Sequence, residues 1–169
     1  ETMAEKARVI CYDKDRRYFI KGIETDKEGN ITPNTTLDMS ALYGAFMYGL
    51  FSVDSPEVRQ SIETAKQTFG FDPNWPGLPR YKDDNYQRAQ PDRPNVWPIV
   101  SLWLAQYSLE QNDTQLATGI IDWVTGLMRS TGVLPEQICP ANHCNLSVEP
   151  LTWSQAEYLS TLLDLTVDK

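Results

Sequence analysis

Positive charge is scarce in this sequence. Its 169 residues carry 15 Lys and Arg against 23 Asp and Glu, a formal charge of −8. A surface for nucleic acid or an anionic membrane needs clustered Lys and Arg, so neither partner is expected. Cysteine is scarce too. Cys11, Cys139 and Cys144 are the only three; an odd number leaves at least one unpaired within the chain and excludes a disulfide scaffold. Long apolar runs are missing. The longest, residues 41–51 (ALYGAFMYGLF), falls short of the ~18 residues of a membrane span. Neither an initiator Met nor a signal-peptide pattern stands at Glu1, which reads as the start of a processed or truncated product.

What is present points to a packed chain. The hydrophobic fraction is 41% and the charged fraction 22%, globular values that exclude disorder. A chain of this length is one domain or a large piece of one, and can bury roughly 70% of its unfolded surface. Five Trp and eight Tyr supply core, interface or a stacking surface for a ligand.

The periodicity predicts mostly helix. Residues 2–11 place Met3, Ala4, Ala7 and Ile10 at helical spacing. Residues 16–33 read as a β-hairpin turning near Gly29-Asn30. Helix returns at 38–51, capped by Asp38 or Ser40 and apolar nearly all round. Ser55-Pro56-Glu57 starts another helix and Gly70 stops it. Further helices are predicted at 96–110, again apolar on most faces, at 114–129 and at 153–167, the last carrying Trp153, Ala156, Leu159, Leu162 and Leu163. Two long connections, 71–95 and 130–151, have no clear period; the first holds five Pro. Connections of that length in a compact domain are functional or disordered, and the aromatics argue for order. Helices buried all round alternate with helices carrying one stripe, a pattern shared by rings of inner and outer helices and by ordinary bundles.

The two long loops hold the reactive side chains. The first reads Gly77-Leu78-Pro79-Arg80-Tyr81-Lys82-Asp83-Asp84-Asn85-Tyr86. The second contains Leu134-Pro135-Glu136-Gln137 and leads to Leu151-Thr152-Trp153. Arg and Asp make charge-assisted hydrogen bonds to hydroxyls, aromatic rings cover the apolar face of a sugar ring, and a loop Glu can activate water. The plainer reading pairs Arg80 with Asp83 or Asp84 on a surface and leaves Glu136 solvated or capping.

GLPRYKDDNY, VWPIVSLWLAQY, VLPEQ and SVEPLTWSQAEY, with TTLDMSALYGAF before them, together resemble glycoside hydrolase family 15, the glucoamylase-like enzymes. Order and spacing agree from about Leu37 to the end of the chain. The resemblance implies a mainly α fold, half of an (α/α)6 barrel (a helical toroid) with the small hairpin near its N-terminus. Residues 1–169 would be the C-terminal part of that catalytic domain. It implies exo-acting hydrolysis of α-glucosidic saccharides with inversion, no cofactor and no metal. Glu136 would be the general base. Arg80, Tyr81, Asp84, Tyr86, Trp97 and Trp153 would bind substrate. The general acid of the family lies in the preceding half of the barrel, and nothing in this sequence matches that stretch. The chain alone is therefore expected to be inactive, and to expose apolar side chains where the missing half or a second copy docks. The same resemblance carries an alternative, since family barrels also occur as non-hydrolytic regulatory modules. A third reading is a helical interaction domain with structural loops.

The sequence departs from the family in places. Asn95-Val96-Trp97-Pro98 replaces Asn-Pro-Trp, and Gln155 stands where bacterial relatives often have His. Residues 139–145 (CPANHCN) lack the usual Gly; Asn142 or Asn145 is expected to take the left-handed turn instead. Cys139 and Cys144 are read as free thiols, with a disulfide clip as the alternative. A zinc site from Cys139, His143 and Cys144 has only three local ligands and is not expected. His143 is read as a surface residue and Glu149 as solvated.

Overall fold

The computed structural model describes residues 2–166. Among them run six α-helices and five strands, in two compact units, Glu1–Gly70 and Phe71–Lys169. No described helix is long and apolar enough to cross a membrane.

In the first unit, helix α1 (Met3–Ile10) opens on a reciprocal capping box between Thr2 and Glu5. Strands β1 (Tyr12–Asp13), β2 (Tyr18–Thr25) and β3 (Ile31–Leu37) form an antiparallel sheet in that order. The hairpin is the predicted one. Its turn is organised by Asp26, whose Oδ1 accepts from the N–H groups of Glu28 (3.0 Å) and Asn30 (2.8 Å). Strand β3 runs into helix α2 (Met39–Met47) through Asp38, which accepts from the Ser40 N–H at 2.8 Å. Asp38 is thus the cap and Ser40 lies inside the helix. Helix α3 (Pro56–Phe69) has Ser55 as N-cap, Pro in its first turn and Gly70 at φ 63° as its left-handed stop. Phe19, Ile20, Leu37, Leu42, Val58 and Ile62 make the core.

One expectation fails here. The 38–51 helix ends at Met47, because Gly49 turns the chain at φ 69°. It buries only Met39, Leu42 and Ala45 and leaves Tyr48 exposed, so it is not buried all round.

In the second unit a loop from 71 to 97 precedes helix α4 (Pro98–Glu110), with Pro98 in the first turn. Every residue of α4 from Pro98 to Ser108 is buried, as its all-round apolar pattern requires. Helix α5 (Thr114–Gly126) is capped by Asp113 and packs Ala117, Ile120, Ile121 and Val124 inward. Strands β4 (Gln137–Ile138) and β5 (Asn145–Leu146) form a hairpin that the periodicity did not foresee. Helix α6 (Thr152–Thr166) closes the unit; position 167 of the predicted helix lies outside the described residues. Its apolar positions do not enter the core: Trp153, Leu159 and Leu163 are 49%, 57% and 56% exposed, while Ser154 and Thr161 are buried.

Candidate functional site

The first long loop folds back on the start of α4. Trp97 N–H donates to the Leu78 carbonyl at 3.0 Å, and Leu78 N–H donates to Ser101 Oγ at 3.1 Å. These bonds bring Arg80 over the Trp97 ring, with the guanidinium carbon 4.4 Å from its centroid. The same carbon lies 4.8 Å from the Tyr81 ring and 5.7 Å from the Tyr86 ring. Tyr86 and Trp97 are themselves in ring contact at 6.2 Å. A guanidinium among three aromatic faces gains cation–π attraction that strengthens with desolvation.

Asp84 holds this arrangement. Its oxygens accept from Arg80 Nε at 3.0 Å and Nη2 at 3.1 Å, a bidentate fork. A third bond comes from the Tyr86 N–H at 3.0 Å. The carboxylate is buried, 2% exposed, and a buried carboxylate requires such pairing. Of the two open partners for Arg80, Asp84 is therefore the one used. Asp83 instead takes a left-handed turn at φ 62°. Burial of the Arg80 guanidinium works against its charge, but the Asp84 bonds and charge outweigh it and hold its pKa above the ordinary value. Tyr81 is pushed up, first by burial and then by its hydrogen bond to Asp84.

The second loop is tied at both ends. Leu151 N–H donates to the Leu134 carbonyl at 3.0 Å, and Ser154 Oγ, at the start of α6, donates to the Pro135 carbonyl at 3.0 Å. Gln155 clamps the loop twice, accepting from the Leu134 N–H (2.9 Å) and donating to the Gly132 carbonyl (3.2 Å). Beyond it, Ile138 exchanges both backbone bonds with Val96, at 2.8 and 3.0 Å. Asn95 adds a buried side-chain bond to Gln137 at 2.5 Å. The two long loops are thereby joined one residue before Trp97.

Glu136 is the half-exposed member of a run, 134–140, that is otherwise buried. Its N–H donates to the Val148 carbonyl at 2.9 Å and its carboxylate accepts from Ser147 Oγ. Ser147 sits in a left-handed turn at φ 63°, as does His143 at φ 58°. These two, not Asn142 or Asn145, supply the special backbone that a Gly would have given. Glu149 is not free either: it forms a fork with Arg129 at 2.6 and 3.0 Å. The Arg129 hydrogen bond holds its carboxyl below the usual glutamate value.

The structure brings together Arg80, Tyr81, Asp84, Tyr86 and Trp97. Glu136 and Trp153 lie outside that contact set. Trp153 packs on Trp103, with centroids 6.1 Å apart, at the half-exposed start of α6. The buried donors Trp97 Nε1 and Gln137 Nε2 have no acceptor among the described residues. Sequence reasoning missed Ser147, Ser154, Asn95 and the Gln155 clamp; no spacing marks them, because each acts on backbone or on a partner far along the chain. It also missed the stack of Trp75 on His143 (5.1 Å) and its edge contact with Trp123 (5.7 Å). Among the described residues no group of three or more His, Cys, Asp or Glu could hold a metal ion, and all three cysteines are free thiols.

No family model matches the chain. It is 25% identical over 163 residues to an uncharacterised glycosyl hydrolase of Methanocaldococcus jannaschii, a match covering 89% of this chain and 25% of that protein. Among solved structures it is similar to a wild-type glycosidase with a TM-score of 0.73 at 17% identity, covering 96% of this chain and 42% of that one. It is similar to a glycosidase variant in complex with glucose at TM-score 0.73 and 16% identity, with the same coverage of 96% and 42%. It is also similar to a bacterial glucoamylase complexed with acarbose, at TM-score 0.69 and 20% identity, covering 86% of this chain and 24% of that one. The chain therefore has a glycosidase-like fold of the glucoamylase kind. It spans about a quarter of the length of the curated relative it matches.

Proposed function

We propose that the chain is the base-bearing C-terminal half of the catalytic domain of an inverting, exo-acting α-glucoside hydrolase of the family 15 type. In this reading the six helices belong to an (α/α)6 barrel that the preceding half completes. Glu136 is the general base. Arg80, Tyr81, Asp84, Tyr86, Trp97 and Trp153 line the sugar site.

One observation carries the reading: a guanidinium fixed over Trp97 by the buried Asp84, on a loop bonded through Val96 and Ile138 to the loop that presents Glu136. Ring faces cover the apolar side of a pyranose while the guanidinium donates to its hydroxyls. Glu136 stands out of a buried run with its carboxylate oriented by Ser147, the placement a base needs to reach water. Inversion requires a second carboxyl about 6.5–9.5 Å away, with the nucleophilic water between base and sugar. In the proposal that acid comes from the preceding half. The residues of this chain then bind the sugar, orient it and take the proton of the attacking water at Glu136.

The bare face of α6 supports the same reading, because Leu159 and Leu163, one turn apart, are exposed apolar residues of the kind a neighbouring barrel helix covers. The test is Glu136→Gln in the full-length parent. General base catalysis contributes typically 10²–10⁴-fold, so kcat should fall at least about 100-fold with sugar affinity unchanged. A near-normal rate removes Glu136 as base. A parent that binds saccharide but never hydrolyses it fits the regulatory module instead.

A further inference from the structure

The hairpin β4–β5 has a register that continues past its two paired positions. Gln137 faces Leu146 and Ile138 faces Asn145; the next pair along is Cys139 and Cys144. The Cys139 N–H donates to the Cys144 carbonyl at 2.9 Å, and the His143 N–H closes the loop onto the Cys139 carbonyl at 2.9 Å. Directly opposed residues of an antiparallel pair have Cα atoms about 4.5–5.5 Å apart. Disulfides span about 4.4–6.8 Å between Cα atoms. The register and the backbone bond thus place the two cysteines opposite one another on the hairpin.

The two sulfurs differ in the way a dithiol exchange site requires. Cys144 is exposed and Cys139 is buried. Hydrogen bonding from the Asn142 backbone holds the Cys139 thiol pKa below the ordinary value against the opposing effect of burial, with smaller help from Ala141, Gln90 and Cys144; the Gln90 amide donates to the sulfur at 3.8 Å. Access favours the exposed Cys144 for the first attack on a reagent, and the stabilised Cys139 thiolate is placed to attack a mixed disulfide on its neighbour. Cys11 offers a contrast, since burial pushes its thiol up.

We propose that Cys139 and Cys144 form a reversible dithiol–disulfide site whose oxidant is a small-molecule disulfide such as glutathione disulfide. Deprotonated Cys144 attacks one sulfur of the reagent; the reagent's S–S bond breaks, one thiolate leaves and is protonated, and a mixed disulfide stands on Cys144. The Cys139 thiolate then attacks Cys144 Sγ and expels the second thiolate, which is protonated in turn. Two cysteine thiols lose two electrons and two protons, and the reagent gains both. The bond encloses the four residues 140–143 and braces the hairpin whose next positions on the other side are Glu136 and Ser147. The site does not depend on any catalytic role for Glu136.

The experiment treats the reduced 169-residue chain with glutathione disulfide and maps the products by mass. The expected product has lost two hydrogens, carries a Cys139–Cys144 bond and no adduct at either residue, and is reversed by dithiothreitol. Cys139→Ser should instead accumulate a stable glutathione adduct on Cys144. Hydrogen exchange of the Cys139 amide should slow several-fold on oxidation. A wild-type chain that retains the adduct on Cys144, or reacts at neither cysteine, overturns the site; unchanged exchange at Cys139 overturns the bracing. Should Cys139→Ser not fold, the wild-type map decides by itself.

Discussion

Helices α4 and α6 are neighbours in one unit and opposite in design. Helix α4 is buried from Pro98 to Ser108, apolar on most faces because most faces meet protein. Helix α6 turns its polar residues inward. Gln106 of α4 donates to Glu157 at 2.9 Å and to Thr161 at 3.0 Å, Ser154 reaches the Pro135 carbonyl, and Thr125 of α5 bonds Tyr158 at 2.7 Å. Its Trp153, Leu159 and Leu163 face outward. One helix is held by packing and the other by directed bonds. That difference teaches where the Glu136 loop gets its precision, because hydrogen bonds specify register and orientation in a way that apolar area does not.

Substitutions on the two helices test this contrast. Leu102 in α4 is fully buried, so Leu102→Ala should cost about 2–5 kcal/mol through lost transfer energy and the cavity left behind, read as a drop in the urea midpoint at unchanged m. Gln106→Leu keeps the volume and removes the donor. It strips Thr161 and Glu157 of a partner and should cost about 1–3 kcal/mol; no measurable loss in urea unfolding would mean that α6 is held by area after all. Leu163→Ala on the bare face should change stability of the chain by no more than about 0.5 kcal/mol. The same change in the full-length parent should cost more if the proposed preceding half covers α6, and the comparison of the two unfolding curves sharpens the contrast most directly.

The helix boundaries that were legible in the sequence are those with stereochemical punctuation. Ser55-Pro56 and Gly70 bound α3 as read, and Asp113 caps α5. Burial was less legible. Periodicity reveals that α6 has an apolar stripe, but not that the stripe faces away from its neighbours. The hairpin β4–β5 left no trace, since two residues per strand cannot show alternation. In the candidate site, the Arg80 loop was readable as a charge–aromatic cluster. Its choice of Asp84 over Asp83 was not, because it turns on Asp83 adopting a left-handed backbone. The roles of Ser147 and Gln155 depend on contacts made across 11 and 21–23 residues, beyond the reach of local pattern.

Gly77 limits this molecule by size and not by backbone angle. A methyl group there would meet the Trp75 ring at 2.7 Å and the Val96 side chain at 2.8 Å. The smallest possible mutation would therefore act as a wedge, prising an indole from one side and the Val96 bridge from the other. A side chain at position 77 is therefore admitted only where the Trp75 indole or the Val96 side chain gives way.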